Sequence, residues 1–200
     1  MRVNRDILRD ELIALHARTP ALGAFCALPD PLCEQALVPY VSPAAALMQA
    51  DPGGTTAAFE RLRDALVAAT PDVRWRETYK DTDIGEDFVS KFACYQLIGP
   101  AEAPFNAPDM RSFVVWTPPG LHYPWHHHPA EEIYVVLAGE AEFAVHGAPS
   151  RTLRPGDHVL HASMQPHAMT TRDSPVMAYV AWRGDLTTPP VFTLPEMVSL

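Results

Sequence analysis

The sequence predicts a mainly β fold, a barrel or sandwich of short antiparallel strands carrying a helical extension at its N-terminal side. Three observations predict it. Ile7, Leu8, Leu12 and Leu15 recur at helical spacing until Thr19 and Pro20 interrupt them. From about Trp75 the texture changes to short runs rich in Val, Phe, Tyr and Trp. Those runs are punctuated by Gly and Pro, as the tight turns of a small antiparallel sheet protein require.

In chain order, Asn4 is a plausible N-cap for the first helix, because its side-chain oxygen can accept from a free N–H of the first turn. A second helix is expected over Ala44 to Ala50. A third begins near Thr55 or Thr56, where Phe59, Leu62 and Leu66 form an apolar face among Glu60, Arg61, Arg63 and Asp64. Pro71 closes it. Pro29, Pro31, Pro39, Pro43 and the Asp51 to Gly54 turn keep these helices short. Residues 1–74 are therefore expected to brace the barrel or to meet a second copy in a homodimer. Residues 75–200 should form the barrel, with strands over Phe92 to Ile98, Ser112 to Thr117, Ile133 to Leu137, Ala141 to His146, His158 to His161 and Val176 to Arg183.

Composition agrees with a folded domain. Among 200 residues 48% are hydrophobic and 20% charged, far from the balance of a disordered chain. The net charge of −9 argues against a nucleic-acid partner or an anionic membrane surface. Arg2, Arg5, Asp6, Arg9, Asp10 and Glu11 leave no apolar stretch for a signal peptide or a membrane span near the N-terminus, so a cytoplasmic location is expected. Cys26, Cys33 and Cys94 form no CxxC pair and suggest buried small hydrophobes.

Histidine carries the functional signal. Of nine histidines only His16 lies outside the segment from His122 to His167. Clustered imidazoles with a carboxylate make a mixed site for a divalent metal ion. His126 and His128 lie two apart and project to one face of an extended strand, and Glu132 and Tyr134 share that relation. Two imidazoles, a carboxylate and a phenol can thus converge inside a barrel.

The spacing from Gly120 through His126, His128 and Glu132 to Gly139 resembles the first cupin motif, and Pro155-Gly156-Asp157 followed by His167 resembles the second, although the commonest second motif ends in Asn. The resemblance implies a cupin barrel, a double-stranded β-helix or jelly roll, with His126, His128, Glu132 and His167 as the ligands of one divalent ion: zinc, iron, manganese, cobalt or nickel. The alternative is a cupin-like barrel without a required metal. Among the remaining histidines, His122 and His161 are the expected pocket members.

The longer strings from His122 to Leu137, Gln165 to Met169 and Trp182 to Asp185 resemble cupin-type dimethylsulfoniopropionate lyases over about the last hundred residues. That resemblance implies β-elimination from a small sulfonium carboxylate, giving acrylate, dimethyl sulfide and a proton. Tyr134 is expected to act as base, its pKa lowered by the ion. Tyr123 is expected either to orient the substrate or Tyr134, or to be a wall residue. Trp182 is the first candidate to hold the sulfonium by cation-π attraction, with Trp116 and Trp125 competing. An iron-dependent cupin dioxygenase and a non-catalytic small-molecule-binding cupin are the rival readings.

Overall fold

The longest strands are apolar at nearly every position, and successive side chains go to opposite faces that are both buried. In the computed structural model, which describes residues 5–80, 82 and 84–193, four helices precede the sheets: α1 (Arg5–Arg18), α2 (Pro20–Phe25), α3 (Ala44–Ala50) and α4 (Glu60–Ala69). Then follow β1 (Trp75–Arg76), α5 (Glu86–Lys91), β2 (Ala93–Gly99), β3 (Phe105–Asn106), β4 (Arg111–Thr117) and β5 (His122–His127). The chain continues through β6 (Glu131–Gly139), β7 (Ala141–Val145), β8 (Arg151–Leu153), β9 (His158–His161), β10 (His167–Thr170), β11 (Val176–Arg183) and β12 (Val191–Phe192). Asn4, the expected N-cap, lies outside the described residues.

The strands form two sheets. The larger runs β1-β2-β4-β11-β6-β9, with β3 beside β2, and the smaller runs β12-β5-β10-β7-β8. Pairing is antiparallel except between β2 and β3. One face of the larger sheet presents Tyr95, Leu97, Val114, Trp116, Ile133, Val135, Met177 and Tyr179 to a core shared with Leu8, Leu12, Leu62 and Leu66 of α1 and α4. The opposite face presents Phe113, Val115, Tyr134, Val136, Val180 and Trp182 to the barrel interior, where Phe143, Leu153 and Met169 of the smaller sheet meet them. Burial on both faces explains why β6 and β11 read as nearly continuous apolar runs.

Polar contacts fasten the helical extension to the larger sheet. Tyr95 Oη donates to the Leu66 carbonyl at 2.8 Å, and Trp116 Nε1 donates to the Asp51 carbonyl at 3.1 Å. The Gly139 N–H donates to the Gly54 carbonyl at 2.7 Å. Gly139 has φ +67°, and a Cβ there would lie 1.7 Å from the Pro175 carbonyl oxygen, so this turn admits only glycine.

Several expectations need adjustment. Helix α5 interrupts the β region because Phe88 packs into the aromatic cluster beneath it, a tertiary contact with no clear helical period. Cys94 is buried, but Cys26 is half-buried and Cys33 is exposed in a stretch without regular secondary structure. No helix among the described residues is long and apolar enough to cross a membrane.

Candidate metal centre and active site

The site is assembled where β5, β6, β10 and β11 face one another across the barrel. His167 of β10 is the register partner of His126 in β5. Glu132 and Tyr134 point inward from β6, where Glu132 pairs with Trp182 of β11 on one side and His161 of β9 on the other. The Pro155-Gly156-Asp157 turn is fixed against β6, with Gly156 N–H donating to the Val136 carbonyl and Val136 N–H donating to the Asp157 carbonyl. That turn starts the strand-turn-strand path that delivers His167. Strand β5 ends at His127, so His128 lies just beyond it.

Backbone carbonyls set the state of three imidazoles. Nδ1 of His126 donates to the Pro124 carbonyl at 2.8 Å, His128 to Ala130 at 3.0 Å and His167 to Gln165 at 2.9 Å. A carbonyl only accepts, so each neutral ring carries its proton on Nδ1 and turns a bare Nε2 away from it. His128, Glu132 and His167 each offer one atom within 4.8 Å of the other two, and all three residues are buried. Nε2 of His128 and of His167 lie 3.4 and 3.2 Å from Glu132 Oε2. None of these three buried atoms has a hydrogen-bond partner among the described residues. Three such atoms converging in a buried space could hold a metal ion. The donor set, nitrogen with oxygen, suits a divalent transition ion. His126 flanks this trio, its ring centroid 4.1 Å from His167 and 6.4 Å from His128.

Charge in the site follows from burial and proximity. Burial alone would lower the His128 imidazole, but the Glu132 carboxylate outweighs it and raises its pKa. Burial would likewise raise Glu132, yet His128 and His167 hold it well below the usual carboxylate range. Burial, with His167 beside it, pushes His126 well down. Glu132 is anchored by its other oxygen, because Trp182 Nε1 donates to Oε1 at 2.6 Å. That bond leaves Oε2 facing the histidines. The Trp182 ring also packs at 4.4 Å on His128 and meets Phe113 edge to face at 5.3 Å.

Both tyrosines singled out in the sequence are here. Tyr134 lines the same pocket as His126, His128 and Glu132. Its phenol is pushed well up by burial and then by the Glu132 charge. Tyr123 stacks on His126 at 3.9 Å, and its hydroxyl is hydrogen-bonded to that of Tyr79. Burial and then the neighbouring Tyr79 raise it. Tyr79 escaped the sequence reading because it lies in a loop without periodicity or motif. Its ring stacks on Phe192 and meets Phe88 and Phe92, forming an aromatic wall beside Tyr123.

The other expected members divide. His161 is buried and stacks on His167 at 4.0 Å with an interplanar angle of 13°, while His122 is exposed and bonded to Thr170. Burial, followed by the neighbouring His167, lowers His161 to about 3. Trp182 lines the pocket. Trp116 faces the opposite core beside the helices, because the alternation of β4 puts it on the other side of the sheet from Phe113. Trp125 is not among the residues lining this pocket.

Two inward sheets, two motif turns and a buried histidine–glutamate trio define a cupin barrel with a metal-competent centre. The family model described as "Dimethlysulfonioproprionate lyase" matches residues 24–178. Dimethylsulfoniopropionate lyase DddQ of Ruegeria pomeroyi is 54% identical over 186 residues, covering 93% of this chain and 92% of the relative. The crystal structure of DMSP lyase DddQ from Ruegeria pomeroyi DSS-3 superposes with a TM-score of 0.89 over 94% of this chain and 95% of that one, at 54% identity. A chain from the crystal structures of the DMSP lyases RdDddP and RnDddQII matches at 36% identity with a TM-score of 0.88, covering 95% and 99%. The chain belongs to the dimethylsulfoniopropionate lyase family and is a lyase.

Proposed function

We propose that this chain cleaves dimethylsulfoniopropionate by β-elimination to acrylate and dimethyl sulfide, with a divalent ion held by His126, His128, Glu132 and His167. The observation that carries the reading is the placement of Tyr134 on the inner face of β6, two residues from Glu132, whose Oε2 joins two bare imidazole nitrogens. A divalent ion bound there supplies Lewis acidity toward the substrate carboxylate and a positive charge that opposes the upward pull on the Tyr134 phenol.

The remaining work falls to side chains. Tyr134 Oη, as phenolate, removes the proton from the carbon beside the carboxylate. The electrons of that C–H bond form the C=C bond, and the C–S bond breaks with its pair going to sulfur. Dimethyl sulfide leaves neutral, so no general acid is needed at the leaving group. Tyr123, fixed by the Tyr79 hydroxyl and the His126 ring, orients the substrate. The Trp182 ring offers a π face to the sulfonium while its N–H stays on Glu132. Phe113 and Val180 wall the pocket with apolar surface.

The test is release of dimethyl sulfide into the headspace by metal-loaded protein under strict anaerobiosis. Equal amounts of acrylate and dimethyl sulfide are expected. Stoichiometric oxygen uptake would instead identify a dioxygenase, and binding without turnover a non-catalytic cupin.

A further inference from the structure

The chain carries a net charge of −9, and its arginines are largely engaged: Arg5 and Arg9 with Glu34, Arg63 with Asp64, Arg74 with Glu102, Arg154 with Glu140, Arg172 with Glu142 and Arg183 with Glu131. Arg76 and Arg111 stand apart. Neither forms an ion pair among the described residues, both are half-buried, and Arg111 has a buried Nε with no hydrogen-bond partner. Burial first and the Arg76 charge second lower Arg111 from the usual arginine value. The Glu102 carboxylate, paired with Arg74 at 3.1 Å, acts on Arg111 in the opposite direction.

Register places this pair relative to the chemistry. Arg111 of β4 is the partner of Trp182, which is the partner of Glu132, so the three lie in one cross-strand row of the larger sheet. Arg111 lies two and four residues before Phe113 and Val115 on β4, on the face they turn toward the barrel interior. Arg76 is the partner of Cys94, also on that interior face, and lies over the Phe113 ring at 5.3 Å from its centroid. Arg76 lines the pocket that contains Glu132 and Tyr134. A half-buried guanidinium on a pocket wall, with no ion-pair partner among the described residues, favours an anion beside it.

We propose that Arg76 forms a carboxylate-binding gate at the pocket wall, with Arg111, outside the pocket lining, adding positive charge to it, and that this gate selects a carboxylate-bearing substrate and retains the anionic product. The inference rests on the lyase reading above and adds the specificity element to it. Arginine suits the task because its planar fork matches a carboxylate. The substrate is a zwitterion of zero net charge, whereas acrylate is a net anion. The gate therefore acts more strongly on the product than on the substrate, and acrylate is a competitive inhibitor whose affinity falls with salt. With its cation already on the Phe113 face, Arg76 also leaves that ring unsuited to a sulfonium, directing it toward Trp182.

The experiment measures the KM for dimethylsulfoniopropionate and the acrylate inhibition constant in metal-loaded wild type, Arg76→Gln, Arg76→Lys and Arg111→Gln. Ionic strength is set at about 20 mM and about 500 mM, where screening differs greatly. In Arg76→Gln the acrylate constant is expected to rise about tenfold at low salt and KM about threefold, with maximal turnover within about twofold. Arg76→Lys should keep most of the affinity, Arg111→Gln should shift in the same direction as Arg76→Gln, and the wild-type salt dependence should be blunted in both glutamine variants. An unchanged acrylate constant in both glutamine variants, or a fall in turnover with KM and inhibition unaltered, would overturn the gate. Calorimetric titration of acrylate into the same proteins separates the two ideas. Arginine-dependent acrylate binding in a wild type that releases no dimethyl sulfide would sink the lyase reading and keep the gate; turnover with arginine-independent acrylate binding would do the reverse.

Discussion

The larger sheet of this protein has a dry side and a wet side, each with buried histidine. On the helical side, His16 of α1 meets the Tyr179 hydroxyl at 3.0 Å and sits among leucines and aromatic rings. On the barrel side, His126, His128 and His167 have their Nδ1 protons committed to carbonyls, and the Nε2 atoms of His128 and His167 converge on the Glu132 carboxylate. His16 also keeps one unpartnered atom, its Nδ1, but no second ligand-type atom among the described residues is grouped with it, whereas the barrel-side atoms face one another as a donor set for a cation. The difference teaches that burial alone does not mark a site, whereas buried groups whose hydrogen bonds are left incomplete in a shared direction do.

Removing a ligand tests the wet side most severely. His128→Ala is expected to abolish stoichiometric metal binding and reduce turnover to background, read by metal analysis of the purified protein and by headspace assay. Retained metal with normal affinity would break the contrast. On the dry side, Leu62→Ala should cost about 2–5 kcal/mol of stability in chemical denaturation, because a fully buried leucine leaves a cavity, while metal affinity stays unchanged.

The sequence made the wet side legible because its evidence is local. His126, His128 and Glu132 lie within one short stretch, and two-residue spacing on a strand carries direct geometric meaning. The strands His158 to His161 and Val176 to Arg183 are likewise found with the expected bounds. What escaped was set by contacts distant in sequence. Tyr79 gains its meaning only from Tyr123, and Trp182 reaches Glu132 only through strand pairing. Trp116 and Trp182 look alike in composition, but alternation of the sheet sends one to the helices and the other to the pocket. Helix α5 depends on aromatic packing that no periodicity in six residues can announce.

Acid should expose the dry-side histidine. Burial lowers His16 from 6.5 to about 4. In the unfolded chain the imidazole takes up its proton near pH 6.5, so between 6.5 and 4 the unfolded state binds more protons and stability falls with pH. This group contributes on the order of 3 kcal/mol to that loss. Denaturation midpoints of wild type and His16→Gln across this window should converge toward pH 4; parallel pH profiles would contradict the account.

Trp182→Phe sharpens the comparison at smaller scale. It keeps a ring on His128 but removes the bond to Glu132 Oε1, so metal affinity should weaken about 10–100-fold, with the fold unchanged by circular dichroism. Unaltered affinity would show that Glu132 is positioned by other means.

Replacing one phenol oxygen reaches the central claim most directly. Tyr134→Phe, loaded with the same metal and assayed for dimethyl sulfide, should retain full metal stoichiometry and lose about 100- to 10,000-fold in kcat, the span expected when a positioned base is removed. Turnover within a few-fold of wild type in a fully metal-loaded variant would show that the proton leaves by another route.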